Sequence, residues 1–192
     1  MSLSLASLGH AASPQRFIIE NPNIIQRGET LFFSASLSVE EESALHDLLK
    51  DGAVLELTIK TTLDRRRSWW TNAEVAAHTY TSNLRHDQLT RNFLITQPCE
   101  GALGELTRDR NLTRLLYGNW RRLMLPVGDM PAIRKAGPDR EYILTVSFQL
   151  RHTEVPPWLE KSSPFWFSDV VPEADVTLTY HPDGGSEGND AP

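Results

Sequence analysis

The amino-acid sequence predicts a mainly β protein, an antiparallel β-sandwich of about seven or eight strands with one or two peripheral helices. Several segments alternate apolar and polar residues with a period of two, which buries one face of a sheet and leaves the other in water. These segments are short and rich in β-branched and aromatic residues, as strands are. The chain has 192 residues, 40% of them hydrophobic and 23% charged, which suits one folded core.

Strands are predicted at seven places along the chain. The clearest alternation spans residues 55–63, where four apolar side chains are separated by Glu56, Thr58, Lys60 and Thr62. The second clearest spans residues 142–150. The other five strands are predicted at residues 17–25, 31–37, 75–81, 93–95 and 176–180.

A capping box predicts a first helix that begins at Ser38. In this motif the serine oxygen accepts from the third helical amide, and Glu41 reaches back to the amide of Ser38. Gly52 supplies a left-handed residue that ends the helix. The apolar stripe at helical spacing consists of Leu45, Leu48 and Leu49.

A second helix is predicted at residues 109–120, with Gly118 inside it. Its apolar face consists of Leu112, Leu115, Leu116 and Trp120. A turn at residues 84–89 is expected to join two hairpin arms, residues 74–83 and 90–97. Residues 127–139 contain two glycines and two prolines, which predicts a surface loop.

The predicted domain organisation is a leader, one β-rich domain and a tail. Residues 1–15 resemble the back half of a signal peptide, with Gly9-His10-Ala11 as a small-x-small cleavage sequence. No Lys or Arg precedes the apolar run, so a flexible cytosolic leader is the alternative. Residues 16–182 form the single domain, and residues 183–192 form an acidic tail expected to be disordered. We therefore expect export, with a cytoplasmic location as the alternative.

Charge and cysteine usage exclude some classes of function. The net charge is -6 and the sequence pI about 5.5, so a nucleic-acid partner would meet a repulsive field. The single cysteine, Cys99, cannot form an intramolecular disulfide or a cysteine-rich zinc site. No stretch after the leader approaches the ~20 apolar residues of a membrane-spanning helix.

The sequence contains no recognisable catalytic, cofactor-binding or metal-binding motif. Its six histidines have no metal-ligand spacing, and glycine-rich phosphate loops and nucleophile elbows are absent. We therefore predict no catalytic residues, no cofactor and no metal. The least implausible catalytic set is His86, Asp87 and Arg91, because a carboxylate beside an imidazole can raise its basicity.

The richest cluster of binding residue types follows the strand at residues 55–63. Guanidinium groups bind phosphates and carboxylates and stack on aromatic faces, while tryptophan suits an apolar edge or a membrane interface. A binding patch is therefore predicted. The alternative is that the arginines pair with surface acids while the tryptophans cap the core. The predicted patch consists of Arg65, Arg66, Arg67, Trp69 and Trp70.

A second aromatic cluster lies at residues 155–167, in a connection stiffened by prolines. Its large rings are predicted to plug an open end of the sandwich. The alternative is an exposed surface for a partner. The residues concerned are Trp158, Phe165 and Trp166.

The chain resembles the domain-of-unknown-function family 4390, a family of exported bacterial proteins, from about residue 31 to residue 180. The resemblance implies export to a periplasm and gene neighbourhoods that include a membrane sensor kinase of the nitrogen-regulation type. It implies no activity. The residues that carry it are Arg65-Arg66-Arg67-Ser68-Trp69 and residues 84–93, 106–120, 155–159 and 163–166.

Three functions follow from these observations. The first is a non-catalytic extracytoplasmic binding or adaptor domain of unknown ligand, with a protein partner in the cell envelope and a link to a membrane sensor kinase. The second is an envelope- or lipid-associated scaffold with peripheral membrane contact through the tryptophans. The third is a hydrolase with an active site that no motif reveals. The oligomeric state stays open.

Overall fold

The computed structural model describes residues 17–101, 104–137, 140–154 and 173–182, which form ten strands and three helices. The strands are β1 (Phe17–Arg27), β2 (Thr30–Val39), β3 (Val54–Arg65), β4 (Ala73–Asp87), β5 (Asn92–Thr96), β6 (Cys99–Glu100), β7 (Leu106–Asp109), β8 (Leu123–Asp129), β9 (Tyr142–Glu154) and β10 (Glu173–Tyr180). The helices are α1 (Glu42–Lys50), α2 (Leu112–Asn119) and α3 (Met130–Ala136). The mainly β prediction is confirmed.

The strands form two antiparallel sheets. The smaller sheet has the order β1-β2-β8. The larger has the order β10-β9-β3-β4-β5-β7, with β6 paired to β4 beside that path. All seven predicted strands are present, and β6, β7 and β8 are the strands that were not predicted. The first two are very short, and Pro126 in β8 is compatible with a strand at the edge of its sheet.

The hydrophobic core lies between the two sheets. Alternate residues of β2, β3 and β9 point inward and are buried, which is the alternation that the sequence predicted. Phe33 of the smaller sheet meets Phe148 of the larger, with ring centroids 6.1 Å apart. Across the sheets Tyr180 Oη donates to Gln26 Oε1 at 3.1 Å, and Tyr80 Oη donates to the carbonyl of Pro126.

The capping box predicted for α1 is wrong. Ser38 pairs with Ile18 inside the smaller sheet, and α1 begins at Glu42 without a side-chain cap at Glu41. Pairing with β1 satisfies the backbone of residue 38, so the helix cannot start there. The predicted apolar stripe is nevertheless buried, and Gly52 follows the helix with a φ of 97°.

The helix α2 is shorter than predicted. Asn111 caps it, because the Asn111 side chain accepts a hydrogen bond from the amide of Arg114 at 2.9 Å. Trp120 follows the helix and has no exposed surface. Its indole Nε1 donates to Ser82 Oγ at 3.2 Å, and its carbonyl accepts from the amide of Leu37 at 3.0 Å. Trp120 thus joins the helix to both sheets.

The surface loop predicted at residues 127–139 is wrong. Its first three residues end β8, and the next seven form α3, a third helix. Asp129 caps this helix by accepting from the amide of Ala132 at 2.7 Å. Pro131 lies in the first turn, where no helical hydrogen bond needs its missing N–H. Gly137 follows the helix with a φ of 132°, so the proline and this glycine mark the two ends of the helix.

The predicted hairpin exists, but its turn is later than predicted. β4 continues to Asp87, and β5 begins at Asn92. The leader at residues 1–15, the tail at residues 183–192, and the aromatic cluster with Trp158, Phe165 and Trp166 lie outside the described residues. Within the described ranges, no helix has the length and apolar character needed to cross a bilayer.

Candidate functional site

The loop of residues 66–72, which we call the indole loop, joins β3 to β4 at one end of the sandwich. The C-terminal end of α3 and Glu141, the residue before β9, lie beside its base, because they bond to Arg65 and Arg66. The β1–β2 turn belongs to the same end, since the amide of Met130 donates to the carbonyl of Glu29 at 2.8 Å. We call this end of the molecule the Arg/Trp end.

Two arginines attach the base of the loop to neighbouring elements. Arg65 Nη1 donates to the carbonyl of Ala136 at the end of α3. Arg66 Nη1 lies 2.9 and 2.7 Å from the two carboxylate oxygens of Glu141. The amide of Arg66 also donates to the carbonyl of Glu141 at 2.9 Å. These bonds fix the direction in which the loop leaves the sheet.

Arg67 begins the outer part of the loop, and its side chain is exposed. Its amide donates to Asn72 Oδ1 at 3.4 Å, which closes the loop on itself. Among the described residues, none forms an ion pair with the guanidinium group of Arg67. A guanidinium group can bind an anionic group of a partner.

The two tryptophans of the indole loop project into solvent. Trp69 is 91% exposed and Trp70 is 81% exposed. The interpretation in which they cap the core is therefore wrong for both, although the expected pairing of an arginine with a surface acid holds for Arg66. Large exposed aromatic side chains are unusual unless they serve recognition.

Among the described residues, the charges at the Arg/Trp end are mixed, with cations in the majority. Besides the three arginines of the predicted patch, it carries Arg134 and Lys135 in the last turn of α3, and Arg140. Two acids form ion pairs, Glu29 with Arg134 and Glu141 with Arg66. Asp129 caps α3. Asp64 and Glu74 lie opposite each other on β3 and β4. This balance contrasts with the net charge of -6 on the whole chain.

The alternative catalytic set does not assemble into a site. The Asp87 carboxylate accepts from the amides of Leu89 and Thr90 and from the Thr90 hydroxyl at 2.8 Å, so it stabilises the turn. These bonds lower the pKa of Asp87. Arg91 occupies a left-handed position of the same turn, with a φ of 55°.

His86 lies against the aromatic ring of Phe93, with centroids 4.8 Å apart. Burial lowers the pKa of His86, and the nearby charges of Lys50 and His46 act in the same direction, against Asp87. Its Nδ1 is buried and has no hydrogen-bond partner among the described residues. An imidazole held neutral in this way packs as an aromatic ring, and no carboxylate orients it.

The sequence did not indicate a pocket of about 450 Å³ between the start of α1 and the start of α2. Several of its polar atoms already hold the helices together: the Thr113 hydroxyl donates to Glu42 Oε1, and Asn111 caps α2. His46 Nδ1 lies 3.1 Å from Asp47 Oδ1. None of the three residues of the alternative catalytic set lines this pocket. No pattern in the sequence predicts it, because the two helices are about seventy residues apart.

No cofactor or metal site is apparent at these positions. Within residues 17–101, 104–137, 140–154 and 173–182, no three His, Cys, Asp or Glu side chains come together in a group that could hold a metal ion. His78 Nδ1 lies 2.9 Å from Glu100 Oε2, but this is a single pair. The exposed indoles and Arg67 are therefore the described groups best placed to meet a partner.

Comparison with known proteins gives one match. A family model described as Domain of unknown function (DUF4390) matches residues 14–177. No curated protein and no solved structure matches the chain. The matched range includes the whole Arg/Trp end, and it confirms the family resemblance seen in the sequence.

Proposed function

The chain belongs to the family of domains of unknown function DUF4390, and we propose that it is a non-catalytic binding domain that meets its partner through the Arg/Trp end. The observation that carries the proposal is the exposure of Trp69 and Trp70, 91% and 81%, on a loop whose base is held by Arg65 and Arg66. An extracytoplasmic location and a link to a membrane sensor kinase belong to the proposal and rest on the family resemblance alone.

Burial of large aromatic side chains supplies much of the affinity of protein interfaces, and tryptophan and arginine are enriched among the residues that matter most. The indole loop offers both residue types side by side. Its base is already ordered by bonds to α3 and to Glu141, so less conformational entropy is lost when a partner binds. A free loop of the same composition would bind more weakly.

A binding role has more support than a catalytic one. The Asp87 carboxylate is occupied by the β4–β5 turn, and His86 packs against Phe93. A general base needs a position within hydrogen-bond reach of a substrate, beside a cleft that excludes water. Neither side chain lines the pocket between α1 and α2.

The proposal predicts that partner capture depends on the two indoles. The full chain is immobilised through its C-terminus and exposed to a detergent extract of cell envelope, and bound proteins and lipids are quantified by mass spectrometry. Trp69→Ser/Trp70→Ser should lose about tenfold or more of each specific partner, because the apolar contact of two large side chains is removed.

The matched control is Leu89→Ser, which removes an apolar side chain that is 96% exposed. Leu89 lies in the turn at the opposite end of β4, roughly 45 Å from the indole loop for a 15-residue strand. Capture should be unchanged in this variant. A set of partners that wild type and the tryptophan variant recover in equal amounts would rule out the Arg/Trp end as the recognition surface.

A further inference from the structure

We infer that the partner of the Arg/Trp end is the surface of a phospholipid bilayer, into which Trp69 and Trp70 insert; this inference rests on the proposed function. Tryptophan is enriched at membrane–water interfaces, because its ring is apolar while its indole N–H remains hydrogen-bonded at the level of the headgroups. Both indoles lie on one short loop at one end of the molecule, so they can enter the interface together.

The shape of the loop favours a bilayer over a protein partner. Stable protein interfaces bury about 800 Å² on each side, and their strongest residues lie at the centre of a well-packed patch. The indoles here lie on a seven-residue loop next to charged strand ends, with Arg66 and Arg67 before them and Glu74 after them. A bilayer needs no matching cavity and accepts two projecting rings.

The cations around the loop fit lipid phosphates. Arg67 forms no ion pair with a described residue, and Lys135 on α3 and Arg140 before β9 are exposed. Guanidinium groups bind phosphate oxygens through two parallel hydrogen bonds. When the indoles are inserted, these cations lie close to the headgroups.

The acids at this end limit the electrostatic contribution. Glu29 and Glu141 neutralise Arg134 and Arg66, Asp64 and Glu74 remain on the adjacent strands, and the whole chain is acidic. Insertion of the indoles therefore provides most of the affinity, and anionic lipid adds a salt-sensitive part. If the attachment were purely electrostatic, high salt would abolish binding to the vesicles.

The test is flotation of the purified full-length chain with two kinds of vesicle, phosphatidylcholine alone and phosphatidylcholine mixed with phosphatidylglycerol. Wild type should float with both and more strongly with the anionic mixture. Trp69→Ser/Trp70→Ser should lower the partition coefficient about tenfold or more on both vesicles. Arg67→Gln should lower it about fivefold on the anionic vesicles only, since one cation near such a surface is lost.

Two controls match these variants. Leu89→Ser and Arg108→Gln remove an exposed apolar and an exposed basic side chain from other surfaces, and neither should change flotation. A second readout is quenching of tryptophan fluorescence by brominated lipid, which should fall in Trp69→Ser/Trp70→Ser. Because both tryptophans are exposed, their variants should fold, and circular dichroism checks this.

Wild-type protein that floats with neither vesicle would overturn the bilayer inference, as would flotation that the tryptophan variant retains. Protein capture that depends on the indoles, combined with absent flotation, would support the proposed function and place a protein at the Arg/Trp end instead. If neither capture nor flotation depends on the two indoles, the proposed function is wrong as well.

Discussion

At the scale of single residues, the described tryptophans have opposite environments. Trp120 is completely buried and bonded to Ser82, whereas Trp69 and Trp70 are largely exposed. The sequence could predict the first, because Trp120 continues a row of leucines at helical spacing. It could not decide the second, because the indoles follow three arginines in a segment with no periodicity. Their exposure became known only from the structure, in which Arg65 and Arg66 hold the base of the loop.

Also at the residue scale, His86 predicts that the domain loses stability as the pH falls. Burial lowers the pKa of His86 below its ordinary value of 6.5, so the unfolded chain binds the proton more readily than the folded chain. The contribution of His86 to the free energy of unfolding should therefore be fully present above its ordinary pKa of 6.5, and it should be lost as the pH falls below that value, until the folded-state pKa is passed. Urea unfolding at a series of pH values measures this.

His86→Phe should flatten that pH dependence, since a second aromatic ring can pack on Phe93 without titrating. His152 also has a pKa lowered by burial, so part of the slope should remain until it too is replaced. An unchanged slope in the double variant would contradict this account. Asp87 affects the free energy of unfolding in a separate pH range. Hydrogen bonds in the turn lower the pKa of Asp87, so its contribution to stability is lost only as the pH falls below its ordinary pKa of 3.8.

At the scale of elements, the sequence predicted strands better than helix ends. Alternation specifies a strand wherever one face is buried, so seven strands were found, but β8 was missed although its residues alternate between buried and exposed. Helix starts depend on competing partners for the same backbone groups. Ser38 has the sequence of a cap, but it pairs with β1 instead. Proline and glycine are typical of loops, but they also occur at helix ends, and around α3 they mark the two ends of a helix.

The third helix gives a prediction at this scale. Asp129→Ala should lower the free energy of unfolding by about 1 kcal/mol, because the amide of Ala132 loses its acceptor. The α3 end that holds Arg65 should also become more dynamic, which hydrogen exchange at residues 130–137 would detect. Asp175→Ala, an exposed acid on β10, should change neither measurement. Equal effects of both substitutions would argue against a capping role for Asp129.

At the scale of the whole molecule, the sequence predicted the class of fold but not its arrangement. The order β10-β9-β3-β4-β5-β7 depends on pairings between strands far apart in the chain, such as β3 with β9, which local patterns do not encode. The candidate site shows the same limit. Its residues were identified from the sequence, but the arrival of α3 and β9 beside the loop, and the resulting cluster of cations, required the topology.

The central claim is that the Arg/Trp end presents two solvent-exposed indoles to a partner. Acrylamide quenching of tryptophan fluorescence in the free protein tests it most directly when wild type is compared with Trp69→Phe/Trp70→Phe. The difference between their spectra isolates the two indoles from the remaining tryptophans. We predict a red-shifted difference spectrum that acrylamide quenches completely, and a blue-shifted difference spectrum that resists quenching would contradict the account.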